Sequence, residues 1–387
     1  MLLCITFREI IILGLLGEDF IYNMEINNRV AIGMSGGVDS SVAAYLLKKE
    51  GFDVIGLTMK VWVDHEAKAF DSDKSCCSLR ATQDAKKVAE MLGVLHYTVD
   101  FSEVFYDKIV NYFINEYLKG RTPNPCVLCN RQIKFGELLE KAFELGAYYI
   151  ATGHYVRKDY DEKTKRYLLK KGIDSSKDQS YVLYRLTQKQ LEHALFPLGN
   201  YKKEEIRALA EELKLPVAKK PESQEICFIP DNDYSGFIKR QVKDEIKPGE
   251  FRDVHGKFLG YHKGIIHYTI GQRRGLGLSS DRPLYVVDID VKNNVVVVGH
   301  QEDVWGEELI SSNNNFISIE KLKREMKVTA KIRYTAKEEE AIIKPYEEDK
   351  VLVKFLKPQR AITPGQSVVF YDKDVVVGGG IIEKKVR

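Results

Sequence analysis

Two short stretches hold residue types that could do chemistry. The first is Ser35-Gly-Gly-Val-Asp-Ser40, with Ser41 behind it. It follows the apolar run Val30 to Met34, which reads as a short buried strand. It precedes Val42 to Lys49, which reads as a helix closed by Gly51. A strand feeding a small-residue loop and then a helix N-terminus is a phosphate-binding arrangement. Free backbone N–H groups of the first turn point at the anion, and glycines let the backbone come close. The Gly-Lys-Ser/Thr ending of a Walker A loop is missing. The second stretch is Thr122-Pro-Asn-Pro-Cys-Val-Leu-Cys-Asn-Arg-Gln-Ile-Lys-Phe135. Two prolines stiffen the loop before Cys126, and a helix is expected to start after Cys129. A thiol at a helix N-terminus has its thiolate favoured by the dipole, which suits a nucleophile. Structural zinc is the other reading of a Cys-x-x-Cys, but no second close pair of ligands lies nearby. Cys227, in Ser223-Gln-Glu-Ile-Cys-Phe-Ile229, stands far downstream between apolar neighbours, as a buried thiol would.

The elements that must position these residues read as follows. From Val30 to about 155, strand-like and helix-like patterns alternate. Val54 to Met59, Val94 to Val99 and Tyr148 to Thr152 are strand candidates. Ala81 to Leu92, Glu103 to Lys119 and Asn130 to Leu145 are helical, each closed by a glycine. Such alternation argues a doubly wound α/β domain with a parallel sheet, whose ligands sit at the carboxyl ends of strands. Ser35, Met59 and the turn Thr152-Gly-His154 all fall at such ends. Tyr155 to Lys170 suggests a hairpin, and Lys202 to Leu213 a helix. Residues 222 to about 290 read as a small mixed domain. From Leu284 onward short strand-like runs dominate, including Val295 to Gly299, which argues a C-terminal all-β barrel. The expected division is 1–28 extension, 29–222 catalytic domain, 223–290 central domain and 291–387 barrel.

The chain has 387 residues, room for two or three domains. Its formal net charge is only +3, so any nucleic-acid surface must be a local patch. The six cysteines, Cys4, Cys76, Cys77, Cys126, Cys129 and Cys227, are too sparse for a secreted disulfide framework and fit a reducing compartment. The run Ile10 to Leu16 is too short to span a membrane, and no cleavage site follows it. Met24 is the preferred start.

The glycine loop resembles the PP-loop of ATP pyrophosphatases, which cleave ATP to AMP and pyrophosphate; in that likeness Asp39 helps hold Mg2+. The whole chain from Val30 onward resembles the tRNA-specific 2-thiouridylases, which put sulfur on the wobble uridine. The resemblance rests on Gly33 to Ser41, Thr122 to Phe135, Ala151-Thr-Gly-His-Tyr155, Lys177-Asp-Gln-Ser-Tyr181 and Gly271-Gln-Arg-Arg-Gly-Leu-Gly277. It implies ATP bound by Gly33, Met34, Ser35, Gly36, Gly37, Val38, Asp39 and Ser40, with Met59 and Gly153 also lining the site. It implies Cys129 as nucleophile and Cys227 as persulfide carrier. Asn124, Pro125 and Cys126 would contact the target base; His154, Lys177, Asp178, Gln179, Arg333, Tyr334 and Gln366 would contact tRNA. A sulfur-donor protein, a cytoplasmic location and no membrane partner follow from the same likeness. Relatives can carry Asp where this chain has Cys126, so Cys126, Cys129 and Cys227 could instead hold an iron–sulfur cluster. A PP-loop amide ligase and a non-catalytic tRNA-binding protein are the rival functions.

Overall fold

The computed structural model describes residues 27–64, 79–221, 226–242 and 246–386. The expected extension up to residue 26, Cys4, Cys76 and Cys77, and Ser223 to Glu225 lie outside the described residues.

The first unit is built on strands β1 (Arg29–Gly33), β2 (Asp53–Lys60), β3 (Leu95–Asp100) and β4 (Tyr149–Ala151). A hairpin, β5 (Val156–Asp161) and β6 (Arg166–Lys171), precedes the two-residue β7 (Ala194–Leu195). The parallel sheet has the order β3-β2-β1-β4-β7. Successive residues of β1 enter different cores, because side chains alternate across a strand. Val30 and Ile32 pack with helix α1 (Val38–Lys49) and helix α2 (Leu79–Leu92). Ala31 packs on the other face with Phe135, Leu138 and Leu139. Both faces are covered, as expected for a doubly wound sheet. The order reverses between β1 and β4, so the switch point of the sheet lies between the loop after Gly33 and the turn after Ala151.

The two long helices expected at 103–119 and 130–145 form, but neither is uniform. The first runs Ser102–Phe105, then a π-helical Tyr106–Val110, then Asn111–Leu118. The second begins earlier than expected. Asn124 caps it, accepting from the Cys126 N–H at 3.1 Å, and Pro125 fills its first position. Proline fits there because that N–H has no partner within the helix anyway. The helical turn Pro125–Cys129 then widens into a π-helical Asn130–Glu137 before Leu138–Glu144.

The second unit is the four-stranded sheet β10-β11-β8-β9, made from β8 (Gly249–Asp253), β9 (Phe258–His262), β10 (Tyr285–Asp290) and β11 (Val295–Gly299). This corrects the expectation that Val295 to Gly299 opens the barrel. The strand pairs with β10 through the tight turn at Asn293-Asn294 and with β8 on its other edge. A strand run alone carries no sign of which sheet it joins.

The third unit is a closed antiparallel barrel. Its strands are β12 (Trp305–Phe316), β13 (Met326–Lys331), β14 (Glu339–Tyr346), β15 (Lys350–Arg360), β16 (Ser367–Asp372) and β17 (Val375–Lys385). They follow the order β12-β15-β14-β13-β16-β17, and β12 closes the ring against β17. Closure leaves no free edge among these strands. The β5–β6 hairpin of the first unit reaches across and adds to β17, with Lys170 opposite Val375.

Candidate active site

The phosphate loop forms as its residues require. Gly36 adopts φ +66°, in the left-handed region that favours glycine, and a side chain there would strike the backbone of Ala81 in α2. Gly37 precedes α1 in extended conformation, and no side chain caps the helix. The amides of its first turn are therefore available to an anion. Ser40 and Ser41 turn their hydroxyls back to the Gly37 carbonyl, and Ser40 Oγ also accepts from the Ser35 N–H at 3.2 Å. Met34 is buried and serves the loop through its backbone: its N–H donates to Leu57, and its carbonyl accepts from Thr58 Oγ1 at 2.7 Å. Met59 follows at the carboxyl end of β2.

The turn after β4 closes on this loop. Gly153 is so near that a Cβ on it would lie 2.9 Å from both the Asp39 carbonyl carbon and the Ser40 nitrogen. His154 comes next, but its ring is only 7% exposed and bonds through Nδ1 to Thr152 Oγ1 at 2.8 Å. Burial, and then the positive charge of Lys134, hold its imidazole well below the ordinary value, so the ring is neutral. His154, expected to contact RNA, is buried in this arrangement, and its imidazole braces the turn from inside through Thr152.

Asp39 stands in the first turn of α1 and is not a lone carboxylate. Lys203 Nζ donates to both its oxygens, at 2.7 and 2.8 Å, and the Tyr155 hydroxyl donates to Oδ1 at 2.6 Å. Lys220 straps the other side of the loop, donating to the Gly36 carbonyl at 3.0 Å and to Asp84 at 2.8 Å.

The cysteines divide into two environments. Cys126 sits in the first turn of its helix and is exposed. Cys129 closes that turn and is half-buried, so the helix dipole acts on Cys126 rather than on Cys129, contrary to expectation. Cys129 and Cys227 both pack against one aromatic cluster that holds Phe105, Phe113 and Phe228. The Phe228 ring meets Phe105 at 5.8 Å and Phe113 at 5.4 Å, which anchors the segment carrying Cys227. Met59 packs against the same cluster. Among the described residues no group of three or more His, Cys, Asp or Glu side chains is placed to hold a metal ion.

The barrel reaches this region directly. Gln366 donates through Nε2 to the Thr122 carbonyl at 2.8 Å, and the Thr122 N–H donates to the Pro364 carbonyl at 2.9 Å. The loop that leads to Asn124, Pro125 and Cys126 is thus held from the far end of the chain. Tyr334 is exposed, and its hydroxyl lies 3.5 Å from the Asp178 carbonyl. Lys177, Asp178 and Gln179 therefore share one surface with Arg333 and Tyr334. Two of these have bracing partners: the Asp178 carboxylate accepts from Gly172 and Ser180, and Gln179 Oε1 accepts from the Tyr155 N–H. Arg333 is half-buried beside Arg360, and burial first and Arg360 second lower its pKa. Arg360 also lies over the Tyr285 ring of the central unit, 5.3 Å from its centre.

Three family models match in series. They describe a tRNA methyl transferase HUP domain over residues 28–231, a tRNA methyl transferase PRC-barrel domain over 235–300, and an aminomethyltransferase β-barrel domain over 306–382. Two relatives named tRNA-specific 2-thiouridylase MnmA 2, from Thermoanaerobacter sp. (strain X514) and Thermoanaerobacter pseudethanolicus, are 95% identical over 94% of this chain and 100% of theirs. Another of that name, from Clostridioides difficile (strain 630), is 53% identical over the same shares. The chain belongs to the tRNA-specific 2-thiouridylase family.

Three residues at the site escaped the sequence reading. Lys203, Lys220 and the Tyr155 hydroxyl all reach the loop from distant segments. Tyr155 stood inside a matched stretch, and the Lys202-Lys203 pair opened an expected helix, but nothing in either context aims a side chain at Asp39. In β2, Thr58 meets His96 Nε2 at 2.8 Å; burial and then Lys86 lower the pKa of that histidine. No helix among the described residues is long and apolar enough to cross a membrane.

Proposed function

We propose that this protein thiolates the 2-position of the wobble uridine of tRNA at the expense of ATP. The observation that carries the reading is the shared packing of Met59, Cys129 and Cys227 on one aromatic cluster, which joins the nucleotide side of the sheet to two thiols distant in sequence.

The loop residues Gly33 to Ser40 would hold the triphosphate, with Gly153 closing the cradle. The cradle fits: it has uncapped helix amides and two glycines where any side chain would meet backbone. Asp39 offers the one carboxylate of the loop, which suits Mg2+ carried on phosphate oxygens, since that ion usually takes one or two protein carboxylates. ATP supplies the activation: transfer of AMP to the uridine 2-oxygen turns a poor leaving group into a good one.

The chain's own residues then do the sulfur chemistry. Cys227 holds the incoming sulfur as a persulfide, loaded by a donor protein. The Cys129 thiolate attacks the inner sulfur of that persulfide. The S–S bond to the outer sulfur breaks, and the outer sulfur leaves as sulfide, having gained two electrons. It attacks C2 of the activated base and displaces AMP. The two cysteine sulfurs are left joined as a disulfide, which an external dithiol reduces. Asn124, capping the Cys126 turn, and exposed Cys126 stand where the base is handled. The base must leave its stack to reach them. Lys177, Arg333, Tyr334 and Gln366, with Arg273 and Arg274 of the Gly271 to Gly277 loop, supply phosphate and ribose contacts. A reaction that consumes ATP and tRNA and needs its disulfide reduced belongs in the cytoplasm.

The test is pyrophosphate release measured with and without uridine-containing tRNA, alongside 2-thiouridine formation. Release that requires the tRNA and tracks thiolation is the expected result. Release driven by ammonia and a carboxylate points to a PP-loop amide ligase, and tRNA binding without release points to a non-catalytic binder.

A further inference from the structure

The phosphate loop has a charge problem that its own sequence does not solve. A nucleoside triphosphate brings several negative charges to the first turn of α1, and Asp39 already stands in that turn with its side chain 31% exposed. A P-loop of the Walker type carries its own lysine for this purpose; this loop has none. The fold brings one from the other side of the domain. Lys203 opens the helix Lys203–Glu212, and its side chain is 8% exposed. Its backbone N–H donates to Asp174 Oδ2 at 3.0 Å, which fixes where the helix starts. Its ammonium bonds both Asp39 oxygens and lies 5.6 Å from the centre of the Tyr155 ring. The lysine thus lies on the buried side of the pair and the carboxylate on the outer side.

We propose that Lys203 is the positioning residue of the loop: it cancels the charge of Asp39, so that polyphosphate meets the amides of α1 without repulsion from that carboxylate, and it fixes the direction of the carboxylate. The inference rests on reading the loop as an ATP site. The role is distinct from a direct phosphate contact, because the ammonium lies on the buried side of the pair and the Asp39 carboxylate on the outer side. It also differs from that of Lys220, whose partners are the Gly36 carbonyl and Asp84.

A charge-cancelling role has a signature that simple structural support lacks: removing the carboxylate makes the lysine dispensable. The experiment is equilibrium binding of ATP to the full chain without tRNA and in EDTA, so that no divalent cation shields Asp39. Lys203→Met weakens binding about tenfold or more. Asp39→Asn combined with Lys203→Met returns it to within about threefold of the parent. The double variant also carries no uncompensated buried charge, so it keeps the test open where Lys203→Met does not fold. Lys203→Met that binds like the parent overturns the proposal, as does a double variant that stays about tenfold weak. A parent chain that binds ATP only when Mg2+ replaces EDTA overturns this inference alone, since Lys203 then does not suffice to offset Asp39; one that binds ATP with neither overturns the reading of the loop as well.

Discussion

Gly153 lies against Asp39 so closely that a single methyl group has no room: its Cβ would stand 2.9 Å from the Asp39 carbonyl carbon and 3.1 Å from the Asp39 Cβ. The carboxyl ends of β1 and β4 meet there, at the switch point of the sheet. Gly153→Val must push the two loops apart, at a cost of about 1–3 kcal/mol. The expected outcome is a thiolation rate down about tenfold or more with tRNA affinity within about twofold of the parent. Steady-state thiolation and filter binding on the same preparation check it.

Asp39→Ala removes the one carboxylate of the loop and the partner of Lys203. ATP-dependent thiolation falls by about a hundredfold or more, while tRNA binding stays largely intact, because on the proposed reading this loop meets phosphate rather than RNA. An equal loss of tRNA affinity would mean that the loop belongs to the RNA surface instead.

The three cysteines separate by environment. Cys129→Ala and Cys227→Ala lose nearly all 2-thiouridine formation, since on the proposed route each sulfur enters the disulfide that closes the transfer. Cys126→Ala keeps substantial activity, since on the proposed route its exposed thiol handles the base and takes no part in the disulfide. Each variant is assayed after preparation in air and anaerobically with iron and sulfide. Activity confined to the iron-loaded protein, with Cys126→Ala inactive, would replace the persulfide route with a cluster.

Gly365 couples the barrel to the cysteine loop. It adopts φ +91°, and a Cβ on it would lie 2.9 Å from the Thr122 nitrogen. Gly365→Ala therefore combines a left-handed penalty of about 1 kcal/mol with a push on the segment leading to Asn124. Thiolation at saturating ATP drops several-fold while the affinity for ATP is unchanged. A shift in ATP affinity of the same size would show that the strain spreads beyond that loop.

Stability should fall with acid, and His154 should account for part of the fall. Its folded pKa lies well below the 6.5 of an ordinary histidine because of burial, then Lys134. Below pH 6.5 the unfolded chain binds a proton that the folded chain refuses, so stability is full above that pH and is lost as the pH drops beneath it. His96, His193, His262 and His267 are shifted the same way, burial being the first cause in each. Thermal unfolding followed from pH 7.5 to 5.5 should show Tm declining in the parent, as the unfolding free energy falls by up to about 1.4 kcal/mol per pH unit for each fully refused proton. The decline should be shallower in His154→Asn.

The sequence by itself determined the local chemistry. Val30 to Met34, the glycines after it and the helix that follows state a phosphate loop, because strand, turn and helix are each written in adjacent residues. The alternation of strands and helices up to Thr152 likewise determined a parallel sheet with both faces covered. The barrel-like tail was legible as short strands, but its membership was not: Val295–Gly299 has the same pattern whether it joins β8 and β10 or a barrel strand, since pairing partners are chosen across the chain. Pro125 did state a helix start, at its own position rather than after Cys129, and this moved the dipole's benefit to Cys126.

What only the tertiary structure decided is which distant groups meet. Lys203 and Tyr155 converge on Asp39, Gln366 grips Thr122, and Cys129 and Cys227 share one aromatic cluster. None of these leaves a periodic or compositional trace. A lysine at the start of a helix looks the same whether it faces water or a carboxylate, and only the closing of the sheet around its switch point aims it.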